Sequence, residues 1–192
     1  MISTPATSRY PAKLIALHWL TFTLVVAAYA LAELKGFTAR GSEVRIAMLA
    51  LHYLTGMLIF ALTWLRLALR LTVVVADAQP VPTRAMLWAA SCLHVFLYAI
   101  LFALPVLGWL ALSAKAQPVH LFFFDMPFAP VELDPAWAKP LRGWHGRIAN
   151  VGYALIGLHA ASALLHHYAL RDNALVRMLP QMRHKHPESG ND

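Results

Sequence analysis

Four stretches of this chain contain no Asp, Glu, Lys or Arg: Leu14 to Ala32, Ile46 to Leu65, Ala85 to Ala114 and Ile148 to Leu170. Crossing a hydrocarbon layer takes roughly 20 helical residues, and each stretch is long enough to do it. A backbone in lipid must satisfy its own polar groups, so only helices and closed barrels can span it. Barrel strands alternate polar and apolar residues over about ten positions, which none of these runs does. The pattern predicts an all-α membrane protein, a four-transmembrane-helix bundle with helices at about 13–34, 45–67, 84–113 and 144–168.

Composition points the same way. Charged residues make up 13% of the chain, whereas about a quarter is usual in soluble domains. The 192 residues read as one membrane domain, 1–180, followed by a polar tail, 181–192. The first span could be mistaken for a signal peptide, because Ala28-Tyr29-Ala30 and Ala30-Leu31-Ala32 both mimic cleavage sites. Its apolar run exceeds the roughly 7–15 residues of such peptides, and it contains His18 and Trp19. It reads as a retained helix.

Four helices put both termini on one side of the lipid bilayer. That side carries Arg9, Lys13, Arg66, Arg70, Arg84, Arg171, Arg177, Arg183 and Lys185. The other side carries Lys35, Arg40, Arg45, Lys115, Lys139, Arg142 and Arg147, together with Glu33, Glu43, Asp125, Glu132 and Asp134. The bias of basic residues predicts a multi-pass protein with both termini in the cytoplasm. The net charge of +7 follows from this rule and from attraction to anionic headgroups, and no nucleic acid is expected as a partner. Cys92 stands alone inside the third span, where neither a disulfide nor a metal cluster is available to it; it reads as a small core residue.

Between the spans, "TVVVADAQPVPT" reads as a linker and Pro105 as a kink in helix three. The outer segment "KAQPVHLFFFDMPFAPVELDPAWAKP" suggests a structure lying on the interface and folded over the helix ends. Residues beyond Arg171 are polar and read as only partly ordered.

Histidine is the anomaly in this apolar chain. On an α-helix seven residues advance roughly 10.5 Å and nearly complete two turns. His145, Gly152, His159 and His166 are spaced by sevens and form one stripe on helix four. His145 and His159 are therefore about 21 Å apart along the axis, close to the separation of two redox centres stacked through a bilayer. A haem held axially needs two opposed imidazoles, so partners should come from other helices at matching depth. His18 on helix one matches His159 near the cytoplasmic side, and His52 on helix two matches His145 near the outer side. The pattern predicts two bis-histidine haem sites within the bundle. A lone intramembrane histidine could as well bond a neighbouring helix or line a proton path. Zinc or non-haem iron would call for carboxylates or thiolates nearby.

The remaining candidates carry open alternatives. His94 falls near the inner site, where a hydrogen bond to a haem propionate, a quinone contact and plain packing are all available. His166 and His167 end helix four; quinone contact, proton donor or solvated helix end are the readings. His120 belongs to the outer loop, and His184 and His186 to the solvated tail. Arg142 and Arg147 bracket His145 in "LRGWHGR"; arginines there snorkel, pair with haem propionates, or attract a small anion.

The stretches "LHWLTFTLVVAAYALAELKG", "LHYLTG", "GWHGRIANVGYALIGLHAASALLHHY" and "RDNALVRMLP" resemble the bacterial cytochrome b561 family, and the likeness covers nearly the whole chain. The resemblance implies a bacterial inner-membrane bundle enclosing two b-type haems, two haem b ligated by His18, His52, His145 and His159. Within the family the likeness is to members that oxidise periplasmic superoxide and reduce ubiquinone, the membrane quinone. It implies a quinone site at the inner haem, with His94 and His166 as candidates. Superoxide would enter through a basic opening that includes Lys35, Lys115, Arg142 and Arg147. A different class of function keeps the haems in a cytochrome b relay subunit that anchors a redox partner subunit, a dehydrogenase or hydrogenase, to the quinone pool. A third is a non-redox transporter or structural subunit with a histidine proton path.

Overall fold

The computed structural model describes residues 9–73, 83–116, 119–121, 124–127, 129 and 132–180. Most of the linker before helix three, Phe122-Phe123, the side chain of His120, and the tail with His184 and His186 lie outside the described residues. Four long helices organise the rest: α1 (Ala12–Leu34), α2 (Glu43–Leu71), α3 (Arg84–Ala114) and α4 (Ala138–Tyr168). All four are long and apolar enough to cross a membrane, and the protein is a multi-pass membrane protein.

The helix starts have local causes. Ser42 Oγ accepts from the Arg45 amide at 3.3 Å, with Glu43 in the first turn of α2; both features favour a helix N-terminus. Thr83 Oγ1 does the same for the Met86 amide at 3.3 Å. Two boundaries differ from the sequence reading. α2 runs to Leu71 rather than Leu67, because Arg66 and Arg70 stay helical and carry their charge along a flexible stem instead of ending the span. α4 begins at Ala138 rather than near Trp144, since Pro140 falls in its first turn, where a missing amide proton costs nothing. α3 continues through Pro105 without interruption.

The backbones pack as α1 on α2, α3 on α4, and α2 on α3. The bundle is thus two helical hairpins joined at one side, with α1 and α4 forming a seam closed by side chains. At that seam Tyr29 Oη donates to the Ala149 carbonyl at 2.8 Å, and Tyr153 Oη donates to Glu33 at 3.0 Å. The two tyrosine rings lie 4.3 Å apart, centre to centre. Large apolar side chains such as Leu20, Val26, Val95, Phe96 and Leu158 point outward. Such a surface suits lipid and would be an association hazard in water. Cys92 is exposed as well, so the core reading is corrected: its side chain is on the outer surface of α3. The buried threonines of α1 and α2 include two that satisfy themselves. Thr21 and Thr63 bond the carbonyls of Leu17 and Ile59, each at 2.7 Å, which keeps a hydroxyl paired where no water is available.

The α1–α2 and α3–α4 connections lie at one end, called here the loop end; the opposite, terminal end holds Ala12, Leu71, Arg84 and Tyr168. Over the loop end the long α3–α4 connection contains an antiparallel hairpin, β1 (Val119–Leu121) and β2 (Phe124–Met126). Its return is tied to α3 by Trp109 Nε1 donating to the Pro127 carbonyl at 2.8 Å and by the Ala129 amide donating to Ser113 Oγ at 2.8 Å. The expected fold-back over the helix ends is present; the strands were not foreseen.

At the terminal end, residues 171–180 are more ordered than their polarity suggested. The chain turns after α4 through Arg171 at φ 54°, and Trp19 Nε1 reaches across to the Met178 carbonyl at 2.7 Å. His166 Nδ1 donates to Asp172 Oδ2, and the Ala174 amide donates to Asp172 Oδ1 at 2.9 Å. Burial opposes the charge of Asp172, but these bonds and the nearby Arg177 guanidinium prevail and hold its carboxyl below the ordinary range. A carboxyl with a lowered folded-state pKa stabilises fully above its unfolded value and stops doing so as pH falls through the folded one. Asp172→Asn should therefore cost about 1–3 kcal/mol near neutrality. Thermal melts in detergent should show that difference shrinking towards zero in acid.

Candidate functional site

One cavity of about 720 Å³ runs through the bundle. Its walls are heptad stripes, one from each helix. α2 contributes Arg45, His52, Ile59 and Arg66, and α3 contributes His94, Leu101, Gly108 and Lys115. α4 contributes Ala138, His145, Gly152 and His159, and α1 His18, Val25 and Ala32. A seven-residue repeat keeps facing its neighbours when helices cross at the small angle of a left-handed bundle. The stripes stack into layers, because the helices run antiparallel and the heptads share one rise.

Two layers bring imidazoles face to face. His18 and His159 lie 6.2 Å apart between ring centres with planes at 66° at the terminal end. His52 and His145 lie 6.2 Å apart with planes at 71° towards the loop end. Two imidazoles sharing one metal at about 2.0 Å each, with roughly 1.1 Å more from nitrogen to ring centre, would stand about 6.2 Å apart. Both pairs match that spacing. Among the described residues no group of three or more His, Cys, Asp or Glu surrounds a single point as a bare metal ion requires. Each pair could hold the two axial positions of a planar metal cofactor.

The surroundings fit such a group. His52 Nδ1 donates to the Ala28 carbonyl at 2.9 Å, and His145 Nδ1 to the Leu104 carbonyl at 2.8 Å. Each bond fixes the tautomer and leaves the other nitrogen as a free lone pair. Glycines thin the walls at this level. Gly56, one turn from His52, would meet nothing within 4 Å if it carried a Cβ. A Cβ on Gly108 would stand 3.4 Å from the His145 ring. In the terminal-end layer His94 takes the place that Gly108 has in the other. Its ring centre is 5.3 Å from that of His159, its Nδ1 donates to the Ala90 carbonyl at 2.7 Å, and its exposed surface faces the cavity.

Of the expected basic opening, Lys35, Lys115 and Arg142 line the loop-end part of the cavity, and Arg147 does not. Arg147 instead stacks its guanidinium 5.2 Å from the ring centre of Trp144. His166 also falls outside the cavity, drawn into the Asp172 pair, and His167 lies against Tyr168. One heptad after His159, the His166 ring is turned to Asp172 and is not part of the cavity wall.

The sequence reading missed Arg45, Arg66, Tyr29 and Tyr153, which all line the cavity. Arg45 and Arg66 had a legible signal, since both fall on the heptad through His52. They were read as span-end charges instead. Arg45 donates to the Thr38 carbonyl at 3.3 Å and also bonds the Lys35 carbonyl, so it braces the α1–α2 turn beside Lys35.

A family model described as prokaryotic cytochrome b561 matches residues 9–181. A Yersinia pestis protein named probable superoxide oxidase CybB is 34% identical over 175 residues, 91% of this chain and 98% of its own length. Cytochrome b561 homolog 1 of Escherichia coli is 33% identical over 177 residues, 92% of this chain and 99% of its own. Cytochrome b561 homolog 2 of the same organism is 28% identical, covering 93% and 95%.

Between the two imidazole layers, Gly152 is buried and a Cβ there would stand 2.3 Å from Tyr29 Oη. The glycine therefore admits the phenol that joins α1 to α4. Gly152→Ala should destabilise the protein by about 1–3 kcal/mol. Adding Tyr29→Phe to that variant should recover part of the loss, and a double-mutant cycle on thermal melts measures the coupling.

Proposed function

Because the chain belongs to the prokaryotic cytochrome b561 family, membrane electron-transfer proteins that bind b-type haem, we propose that it is a superoxide:quinone oxidoreductase of the bacterial inner membrane. The loop end faces the periplasm and the terminal end the cytoplasm, as the bias of basic residues favours. His52 with His145, and His18 with His159, would hold two b haems, one at each pair. The two facing pairs at one metal-compatible spacing carry this reading. Bound there, the haems would supply one-electron chemistry, with potentials tuned by ligands, burial and nearby charge.

In the overall reaction two superoxide anions each lose one electron and leave as dioxygen. One ubiquinone takes up the two electrons and two protons and becomes the quinol. At the periplasmic end Lys35, Arg45, Lys115 and Arg142 gather positive charge around the cavity, with Glu33 as the acid among the lining residues. Such a field concentrates a small anion and speeds its approach. The step needs no acid–base catalyst there, because an electron leaves superoxide without a proton. Lys35 has a second task. Arg45 fixes the backbone of the turn that carries it, so its charge stands close to both His52 and His145. At the cytoplasmic end His94 faces the cavity beside His159, where an imidazole can hydrogen-bond a quinone oxygen and carry a proton to it. The name of the Yersinia relative supports superoxide as the donor.

Purified protein mixed with a superoxide source should turn reduced in the visible spectrum with no partner protein present, and added ubiquinone should reoxidise it. A red preparation inert to superoxide would count against this reading and favour the relay subunit. His52→Leu should halve the haem content and abolish reduction by superoxide while leaving the His18–His159 site loaded; pyridine haemochrome analysis measures the ratio. Replacing Lys115 and Arg142 together with Gln should lower the second-order rate with superoxide by about tenfold at low salt and flatten its dependence on ionic strength. Stopped-flow at several salt concentrations reads both effects.

A further inference from the structure

Arg66 is a cation in the cavity wall that the reading above leaves without a task. It lies two heptads from His52 on the α2 stripe, within the span Glu43–Leu71, and it lines the same cavity. The α2 heptad puts it in the terminal-end layer, and His18, His94 and His159 line the same cavity. Its guanidinium carbon stands 5.6 Å from the ring centre of Tyr98. Among the described residues no carboxylate pairs with it.

A guanidinium cannot shed its proton in a protein, and a charge held inside a membrane bundle is costly unless an anion meets it. The face of Tyr98 offsets part of that cost. The remainder asks for an anion that arrives with whatever fills the cavity. A guanidinium fork matches a carboxylate with two parallel hydrogen bonds. A haem held by two axial imidazoles is still free to turn about the axis joining them, so a contact at its rim is needed to fix one orientation. The two layers differ in this respect. In the loop-end layer the helix that supplies no imidazole opposite α4 is α1, and it offers Ala32. In the terminal-end layer that helix is α2, and it offers Arg66.

We propose that Arg66 binds a propionate carboxylate of the haem held by His18 and His159, fixing its rotation and raising its reduction potential. The proposal rests on the ligand reading given above. Its sign is simple: reduction adds one negative charge, and a nearby cation favours the reduced form. Arg66 acts through the cofactor's rim and not on the reacting molecules, so it is a positioning residue.

The test is a redox titration of the purified holoprotein followed in the visible spectrum, for Arg66→Met and Arg66→Lys. Met keeps a straight apolar stem against Tyr98 and removes the charge; Lys keeps the charge and removes the fork. Both are also made in the His52→Leu background, so that the terminal-end haem is seen alone. Arg66→Met should lower the reduced-to-oxidised ratio at fixed potential by about tenfold, or about 59 mV for a one-electron couple. Arg66→Lys should recover more than half of that shift. Loss of this haem from the Met form with retention in the Lys form also supports the proposal. An unmoved couple overturns it, as do equal shifts in both variants or loss of haem from both. A raised KM for ubiquinone with the couple unmoved would make Arg66 a quinone contact and overturn it as well. A wrong assignment of His18 and His159 shows itself separately, because the His52→Leu protein would then hold no haem before Arg66 is touched.

Discussion

Each facing imidazole pair draws its members from opposite hairpins of the bundle. His18 and His52 belong to the α1–α2 hairpin, and both of their partners, His145 and His159, belong to α4. Association of helices in lipid gains nothing from the hydrophobic effect, because the lipid tails are as apolar as the side chains. The hairpins must then be held by packing, by a few hydrogen bonds and by whatever the paired imidazoles bind. The seam between α1 and α4 illustrates the point. Its hydrogen bonds come from the Tyr29 and Tyr153 hydroxyls, side by side at one level, while the Trp19 indole ties α1 to Met178 beyond the end of α4. On the reading proposed above, two metal-centred clamps lie behind that seam and supply the cohesion that sparse backbone contact does not.

The heptad is what makes the clamps possible. A straight helix drifts by about 20° per seven residues, and the left-handed crossing of a bundle removes the drift. Side chains seven apart then stay on one wall over the whole thickness of the membrane. This is why the histidine pairing was legible in sequence. The spacing of His145 and His159 states the period, and the depths of His18 and His52 within uncharged runs state which layer each belongs to. Four helices and their order were legible for a similar reason, since charge-free runs of this length admit little else.

Other features were illegible because they depend on contacts between segments distant in sequence. Nothing local marks the hairpin Val119–Leu121 with Phe124–Met126, whose return is held by Trp109 and Ser113 from α3. Residues 171–180 look like a solvated tail until Trp19, from the first helix, supplies a donor for Met178. His166 continues the ligand stripe in sequence, yet Asp172 claims the ring and it does not line the cavity. Arg45 and Arg66 are a different kind of miss. They sat on a readable period, but a charge at the edge of an apolar run was taken as the end of a span. Long stems let such residues stay helical and turn inward.

The two ends of the cavity differ in a way that bears on direction. At the loop end the positive charge comes from Lys35, Arg45, Lys115 and Arg142, drawn from all four helices, and Glu33 is held by Tyr153. These cations crowd one rim, so none can be fully paired by a single carboxylate, and the excess is available to an anion in solution. Among the cavity-lining residues at the terminal end the cation is Arg66, which shares that wall with three imidazoles and stands over the ring of Tyr98. A half-buried charge with no like charge beside it in the cavity wall is best answered by one fixed anion rather than by a field that attracts many. On the reading proposed above, basic side chains would serve capture at one end and positioning at the other, and the difference lies in how many neighbours share their sign. On that reading, the His94 imidazole at the terminal end and the surplus charge at the loop end would sort a proton-consuming acceptor and an anionic donor to opposite faces of the bundle.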